Sequence, residues 1–273
     1  MEPAAGAVRL GPGEDRWRVS EFSWVDGSEQ PAALLQYLDH AAAAEAGMKQ
    51  YAVAAHALRR PAGPILDVGC GAGHDLALLH AAGLAPIGVD PSEVMLTAAR
   101  ERVGSARPIV RAAGEALPFA DGSVAGCRIE RVLIHVVDPL AVLAEAVRCV
   151  TAGGLVTVLE PDWGSFVVRS DTLPERATWI SSVRHPAIGA RLWDLLEQAG
   201  CDVLDRVEEL SVWRSVTRLA QVAGFPMSVE RAVAAGRVDA GDARRWIDEQ
   251  RRRDDAGEFY ALLPKVQVVA QKR

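Results

Sequence analysis

The chain has 273 residues, 49% of them hydrophobic, and a formal net charge of -6. That much apolar material buries a full core, so disorder is excluded as the default and one large domain, or a domain with an appendage, is expected. The acidic balance leaves no general basic footprint for nucleic acid, and the densest basic run, Arg251 to Arg253, is answered at once by Asp254 and Asp255 as on a solvated helix face.

Met1 to Gly6 has neither a charged n-region nor an apolar h-region, and no uninterrupted apolar stretch is long enough to span a bilayer, so a cytoplasmic chain without a membrane partner is expected. Residues 1–60 read as a helical lid region, alanine-rich after Pro31, in which Phe22, Trp24 and Tyr51 are placed to close over a site and exclude water. Residues 61–273 read as the main domain. Ile65, Leu66 and Val68 form a buried strand that runs into Gly69, Gly71 and Gly73, and His74 to Ala82 is a helix closed by Gly83. Pro86 to Asp90 is the second strand, and Ser92 caps a helix carrying Val94, Met95, Ala98 and Ala99. Arg107 to Ala112 and Gly126 to Leu133 are the third and fourth strands. Asp138-Pro139 opens a helix striped with Leu140, Leu143, Ala144, Val147 and Val150, which Gly153-Gly154 is expected to end. Leu155 to Leu159 is a buried strand with Glu160, Pro161 and Asp162 just past its C-terminal end, where open α/β sheets bind ligands. A helix over 187–199, a strand over 203–213, a polar helical insertion over about 216–257 and a strand-forming tail over 259–271 complete the chain. The alternation implies a mostly parallel sheet covered by helices on both faces.

Cys70, Cys127, Cys149 and Cys201 are scattered, with no Cys-x-x-Cys pair and no histidine cluster, so reduced thiols and no metal are expected. Cys70, between two glycines, reads as steric filling.

A glycine turn after a strand also suits nicotinamide and flavin cofactors, so the spacing has to discriminate. The third glycine, Gly73, comes one position early for a dinucleotide turn, and His74 stands where that turn wants glycine. Asp67 lies inside the strand, placed for a cationic or donor group rather than a pyrophosphate. Asp90, 23 residues on, is at the distance expected for a carboxylate that accepts from ribose hydroxyls. Two carboxylates flanking the turn suit a ligand with an amino group and a free ribose.

On these residues the chain resembles the class I S-adenosylmethionine-dependent methyltransferases of the ubiquinone/menaquinone-biosynthesis-like type. The resemblance covers about residues 60–165 and includes Gly114-Glu115-Ala116-Leu117-Pro118-Phe119, Glu130 to His135 followed by Asp138-Pro139, and Thr151-Ala152-Gly153-Gly154. It implies a Rossmann-like, seven-stranded sheet with S-adenosylmethionine as cofactor. By the same resemblance Gly69, Cys70, Gly71 and Gly73 pack against the methionine part, Asp67 takes its ammonium group and Asp90 binds ribose. Pro91 and Met95 then line the adenine, backbone near Gly114, Glu115 and Ala116 meets its edge where the family has an aspartate and this chain has Ala113, and Glu130 and Arg131 complete the set.

Methyl transfer from a sulfonium is an in-line displacement, in which positioning does most of the work and a base is optional. His135 is the first candidate base and His185 the second; Glu160 and Asp162 are candidates for orienting the acceptor or forming an acid pair. Trp163 and Trp179 are candidate walls for an apolar small-molecule acceptor. The expected activity is methylation of oxygen, nitrogen or carbon on such an acceptor, in secondary metabolism. A non-methylating cyclisation or elimination, a nicotinamide oxidoreductase and a non-catalytic binding domain are the alternatives. The oligomeric state, a homodimer included, stays open.

Overall fold

The computed structural model describes residues 25–28, 31–44, 46–59, 62–104, 107–180, 183–223 and 227–273. Phe22 and Trp24 lie outside them. The described elements run α1 (Pro31–Ala44), α2 (Ala46–Leu58), β1 (Ile65–Val68), α3 (His74–Ala81), β2 (Pro86–Asp90), α4 (Glu93–Val103), β3 (Ile109–Arg111), β4 (Val124–Glu130), α5 (Pro139–Cys149), β5 (Val150–Pro161), β6 (Val167–Val168), α6 (Leu192–Gln198), β7 (Cys201–Trp213), α7 (Val216–Ala223), α8 (Met227–Ala234), α9 (Ala240–Asp255) and β8 (Ala261–Lys272).

The sheet is ordered β3-β2-β1-β4-β5-β8, with β7 on the free side of β8 and the two-residue β6 also pairing with β8. The first five strands are parallel, and β8 is antiparallel to both β5 and β7. This makes eight strands rather than the expected seven, the additional one being the short β6. All four residues of β1 are buried, because both faces of the sheet are covered. Leu66 and Val68 join the main core beneath α5 and α6, whereas Ile65 packs with Val53 of α2 and Leu79 of α3 on the other face. Asp67, alternating with its neighbours, therefore faces the α2–α3 side.

Several expected boundaries move. The helix begun at Asp138, whose side chain accepts from the N–H groups of Leu140 and Ala141, stops at Cys149 and not at Gly153-Gly154. Val150 already pairs with Val124, and the register then jumps to Gly126↔Leu155, so residues 151–154 bulge within β5. The fourth strand ends at Glu130 rather than Leu133, because Arg131 turns the backbone with φ 56°. The third strand shrinks to Ile109–Arg111. The polar insertion forms α7, α8 and α9, whose buried residues Leu219, Val229, Ala243 and Trp246 build a second apolar cluster with Trp163, Phe166, Ile180 and Phe259.

Candidate functional site

The turn after β1 is glycine-rich because its neighbours leave no room. Gly69 has φ 71°, and a Cβ there would lie 2.3 Å from Val132 Cγ2; Gly73 has φ 80°, and its Cβ would meet the Ala99 backbone at 3.1 Å. The N–H groups of Gly69 and Cys70 donate to the Val89 carbonyl at 2.7 and 2.9 Å, which tethers the turn to β2. The Cys70 side chain is buried against Gly88, where a Cβ would sit 2.9 Å from its Sγ, and burial, with the Asp67 and Asp90 charges, raises its thiol well above the usual range. An unreactive spacer is the result.

Asp67 is 2% exposed, and its Oδ2 is buried with no protein partner. Burial, reinforced by the charge of Asp75, pushes its carboxyl well above the ordinary value. Beside it two acids and two bases alternate in a ring. Lys49 Nζ donates to Asp75 Oδ1 at 2.8 Å and to Glu130 Oε1, while Arg128 Nε donates to Asp75 Oδ2 at 2.6 Å and Arg128 Nη2 to Glu130 Oε2. Burial works against ionised Asp75, but Arg128 and Lys49 overcome it and hold that carboxyl below its range. Glu130 is pushed up to about 7 by burial and by Asp75. Asp67 is thus the acid left over, and it lines a cavity of about 60 Å³ together with Lys49, Asp75, Glu130, Gly69, Gly71 and residues of α1. An orphaned buried carboxylate oxygen against a turn in which Gly69 and Gly73 admit no side chain fits the ammonium-bearing end of S-adenosylmethionine.

Asp90, at the tip of β2, accepts from Gly71 N–H at 3.0 Å and Ser92 N–H at 2.9 Å, and burial raises it to about 6. Of the expected adenine neighbours, Met95 is 2% exposed and packs with Val25, Leu34 and Ala72, whereas Pro91 is exposed. Gly114 is half-buried against Val142 and Val68, and Glu115 and Ala116 are exposed. Arg131 bonds the Tyr37 hydroxyl and lies 5.3 Å from that ring, so it reaches α1.

The catalytic candidates divide. Glu160 is fully buried; its Oε1 accepts from Val132 N–H at 2.9 Å and Leu133 N–H at 2.6 Å, and burial pushes it up to about 8 despite those donors. His185 Nε2 is 2.9 Å from the Val136 carbonyl, and its backbone N–H donates to the Ile134 carbonyl at 3.2 Å. Burial, helped by Arg131, pushes the His135 ring down to about 3, so it is neutral and a weak proton acceptor. Glu160, from β5, and His185 thus both hold the loop after β4 that carries His135. Asp162 does not join them: its Oδ2 accepts from Ser165 Oγ at 2.6 Å within the following turn. Tyr51, expected over the site, is 40% exposed and bonds Asp205 on β7.

Sequence reasoning missed Lys49, Asp75, Arg128, Tyr37 and Asp26. Asp26 accepts from Ser92 Oγ at 2.5 Å and from the N–H groups of Glu93 and Val94 at the start of α4. One signal was available for Lys49: it shares a helical stripe with Ala52, Val53 and His56, all buried, where a lone lysine has to be paired. Among the described residues no group of three metal-binding side chains occurs, and no helix is long and apolar enough to cross a membrane. A larger open depression of about 610 Å³ sits at the opposite ends of β1 and β2, among Ala57, Pro64, Ala82 and Leu84, with no titratable side chain in its lining and away from the turn.

Residues 66–158 match the model of a methyltransferase domain family. An uncharacterized 37.1 kDa protein in transposon TN4556 of Streptomyces fradiae is 36% identical over 249 residues, covering 87% of this chain and 71% of that protein. An uncharacterized methyltransferase of Mycolicibacterium gilvum is 41% identical over 100 residues, which are 36% of this chain and 39% of its own length. A solved S-adenosylmethionine-dependent methyltransferase from Thermotoga maritima shares the fold, with a TM-score of 0.54 at 18% identity over 92% of this chain and 100% of that one. The matched domain and the shared topology coincide on the strands that carry the turn, and the chain belongs to the class I S-adenosylmethionine-dependent methyltransferases.

Proposed function

We propose that the chain methylates a small, fairly apolar acceptor on oxygen, nitrogen or carbon, in the cytoplasm and in secondary metabolism. The observation that carries the acceptor class is the second apolar cluster. It begins at Trp163, directly past the ligand end of β5, and includes Phe166, Ile180 and Trp246, with Trp179 packed against it. The indole N–H groups of Trp163 and Trp179 are buried without a protein acceptor. Unanswered indole N–H groups beside apolar side chains at that end of the sheet suit a small, fairly apolar acceptor. Four free, buried cysteines agree with a reducing compartment.

Bound S-adenosylmethionine supplies an electrophilic methyl group on a sulfonium. In this reading Asp67 meets its ammonium group, Asp90 accepts from the ribose, and Gly69, Gly71 and Gly73 let the backbone approach. Glu160 holds the N–H groups of Val132 and Leu133 and thereby sets the loop that carries His135. With its ring neutral, His135 acts by orienting the acceptor more than by removing a proton.

Purified chain incubated with methyl-labelled S-adenosylmethionine and a panel of small phenols, amines and acidic-carbon compounds tests this. Label in a small organic product is expected. Label confined to added protein or RNA would overturn the acceptor class, and turnover of a panel member without label would favour cyclisation or elimination.

A further inference from the structure

We infer that the free edge of β7 pairs antiparallel with the same strand of a second copy of this chain, about a twofold axis through Val207. β7 runs for 13 residues and bonds β8 along one side; among the described residues no strand lies on its other side. The N–H of Arg206 donates to Asp205 Oδ1 of its own strand at 2.8 Å, as an amide on an open edge does, and alternation turns the Glu208 N–H the same way. An edge of this length is a template for another strand unless something blunts it. The usual guards are incomplete here: β7 has no lysine and no proline, and Leu204, Leu210 and Val212 are 47%, 51% and 45% exposed. Its bulge, at Leu204 between Val203 and Asp205, leaves Asp205 to Trp213 in regular register with β8.

The charge pattern identifies the partner. Opposed residues of an antiparallel ladder share a face and a hydrogen-bonding direction, so two identical strands pair about one of their own residues. Asp205, Arg206, Glu208 and Glu209 are all charged, and an axis through any of them sets a charge against itself; Val207 is the neutral residue at their centre. About Val207, Arg206 of each copy faces Glu208 of the other, and Leu204 faces Leu210. Within one chain Arg206 Nη2 already lies 2.6 Å from Glu208 Oε1, so two copies close a square of guanidiniums and carboxylates with alternating sign. The same pairing sets Asp205 against Glu209, but each has a partner of its own: Asp205 accepts from the Tyr51 hydroxyl, and Glu209 Oε1 is 3.8 Å from Lys265 Nζ. An axis through Ser211 would keep only Glu209 to Trp213 of the strand in the pairing and would engage Arg214, which already lies 4.7 Å from the Tyr260 ring.

Sedimentation of the full chain at about 50 µM should give twice the 29.2 kDa chain mass. Arg206→Glu gathers four carboxylates at the axis and Glu208→Arg four guanidiniums, so either variant alone should dimerise about tenfold more weakly or worse. An equimolar mixture of the two variants should restore the dimer, because each arginine of one chain then faces a glutamate of the other. That rescue separates edge pairing in this register from a loss of folding. A parent chain that stays monomeric, a dimer indifferent to both charge reversals, or a mixture that remains monomeric would overturn the assignment.

Discussion

Glu160 offers the sharpest test of the electrostatics behind the site. Its carboxyl is fully buried and raised from 4.5 to about 8, chiefly by burial, while one oxygen accepts two backbone N–H groups and the other has no partner. The folded chain thus retains a proton that the unfolded chain releases. Below about pH 4.5 both states are protonated and nothing is lost; as pH rises toward about 8 the stability of the folded state falls, and above that the loss is complete. At 1.36 kcal/mol per unit, the displacement corresponds to at most about 5 kcal/mol. Glu160→Gln keeps a carbonyl oxygen for Val132 and Leu133 but cannot ionise. Urea unfolding of both chains near pH 5, 7 and 9 should therefore show the glutamine variant gaining on the parent as pH rises, by several kcal/mol between the extremes. A difference that stays constant with pH would refute the reasoning. Glu160→Ala, which strips both N–H groups of their acceptor, should cost about 1–3 kcal/mol for each near pH 5 and, having no carboxyl to ionise, should recover against the parent as pH rises.

The remaining predictions concern the turn and β2. Gly69→Ala combines φ 71° with a 2.3 Å approach to Val132, so it should cost about 2–4 kcal/mol and depress S-adenosylhomocysteine affinity. Gly83→Ala, with φ 77° and open space around it, should cost only about 1–2 kcal/mol, and matched urea midpoints for the two variants would contradict the steric argument. Because Asp90 titrates at about 6, cofactor affinity should weaken as pH falls through that value, and Asp90→Asn should bind weakly with no such pH dependence. Calorimetry at about pH 5 and 7.5 checks this; a parent chain whose affinity is flat across that range would remove ribose binding by the Asp90 carboxylate.

The local parts of the fold were legible because they obey short-range rules. Buried apolar runs marked β1, β2 and β5, and Ser92 and Asp138 marked two helix starts by capping, as observed. Glycine spacing located the turn, since only glycine tolerates its backbone beside Val132 and Ala99. Boundaries were less legible where distant contacts compete with local preference: β4 stops early at left-handed Arg131, with Glu160 holding the two N–H groups that follow, and Val124 draws Val150 out of its helical stripe.

From the sequence alone follow the buried strand and its glycine turn, the spacing of Asp67 and Asp90 and the α/β alternation, all of which depend on neighbours within a few residues or one repeat. Only the tertiary structure decided what surrounds them. Lys49, Asp75, Arg128 and Glu130 come from four separate elements, and nothing in their individual spacing says that they close a ring beside Asp67. Likewise only the fold shows that Glu160, a candidate from its place at a strand end, holds the backbone N–H groups that open the loop after β4, because a buried carboxylate binds the backbone donors that packing brings to it.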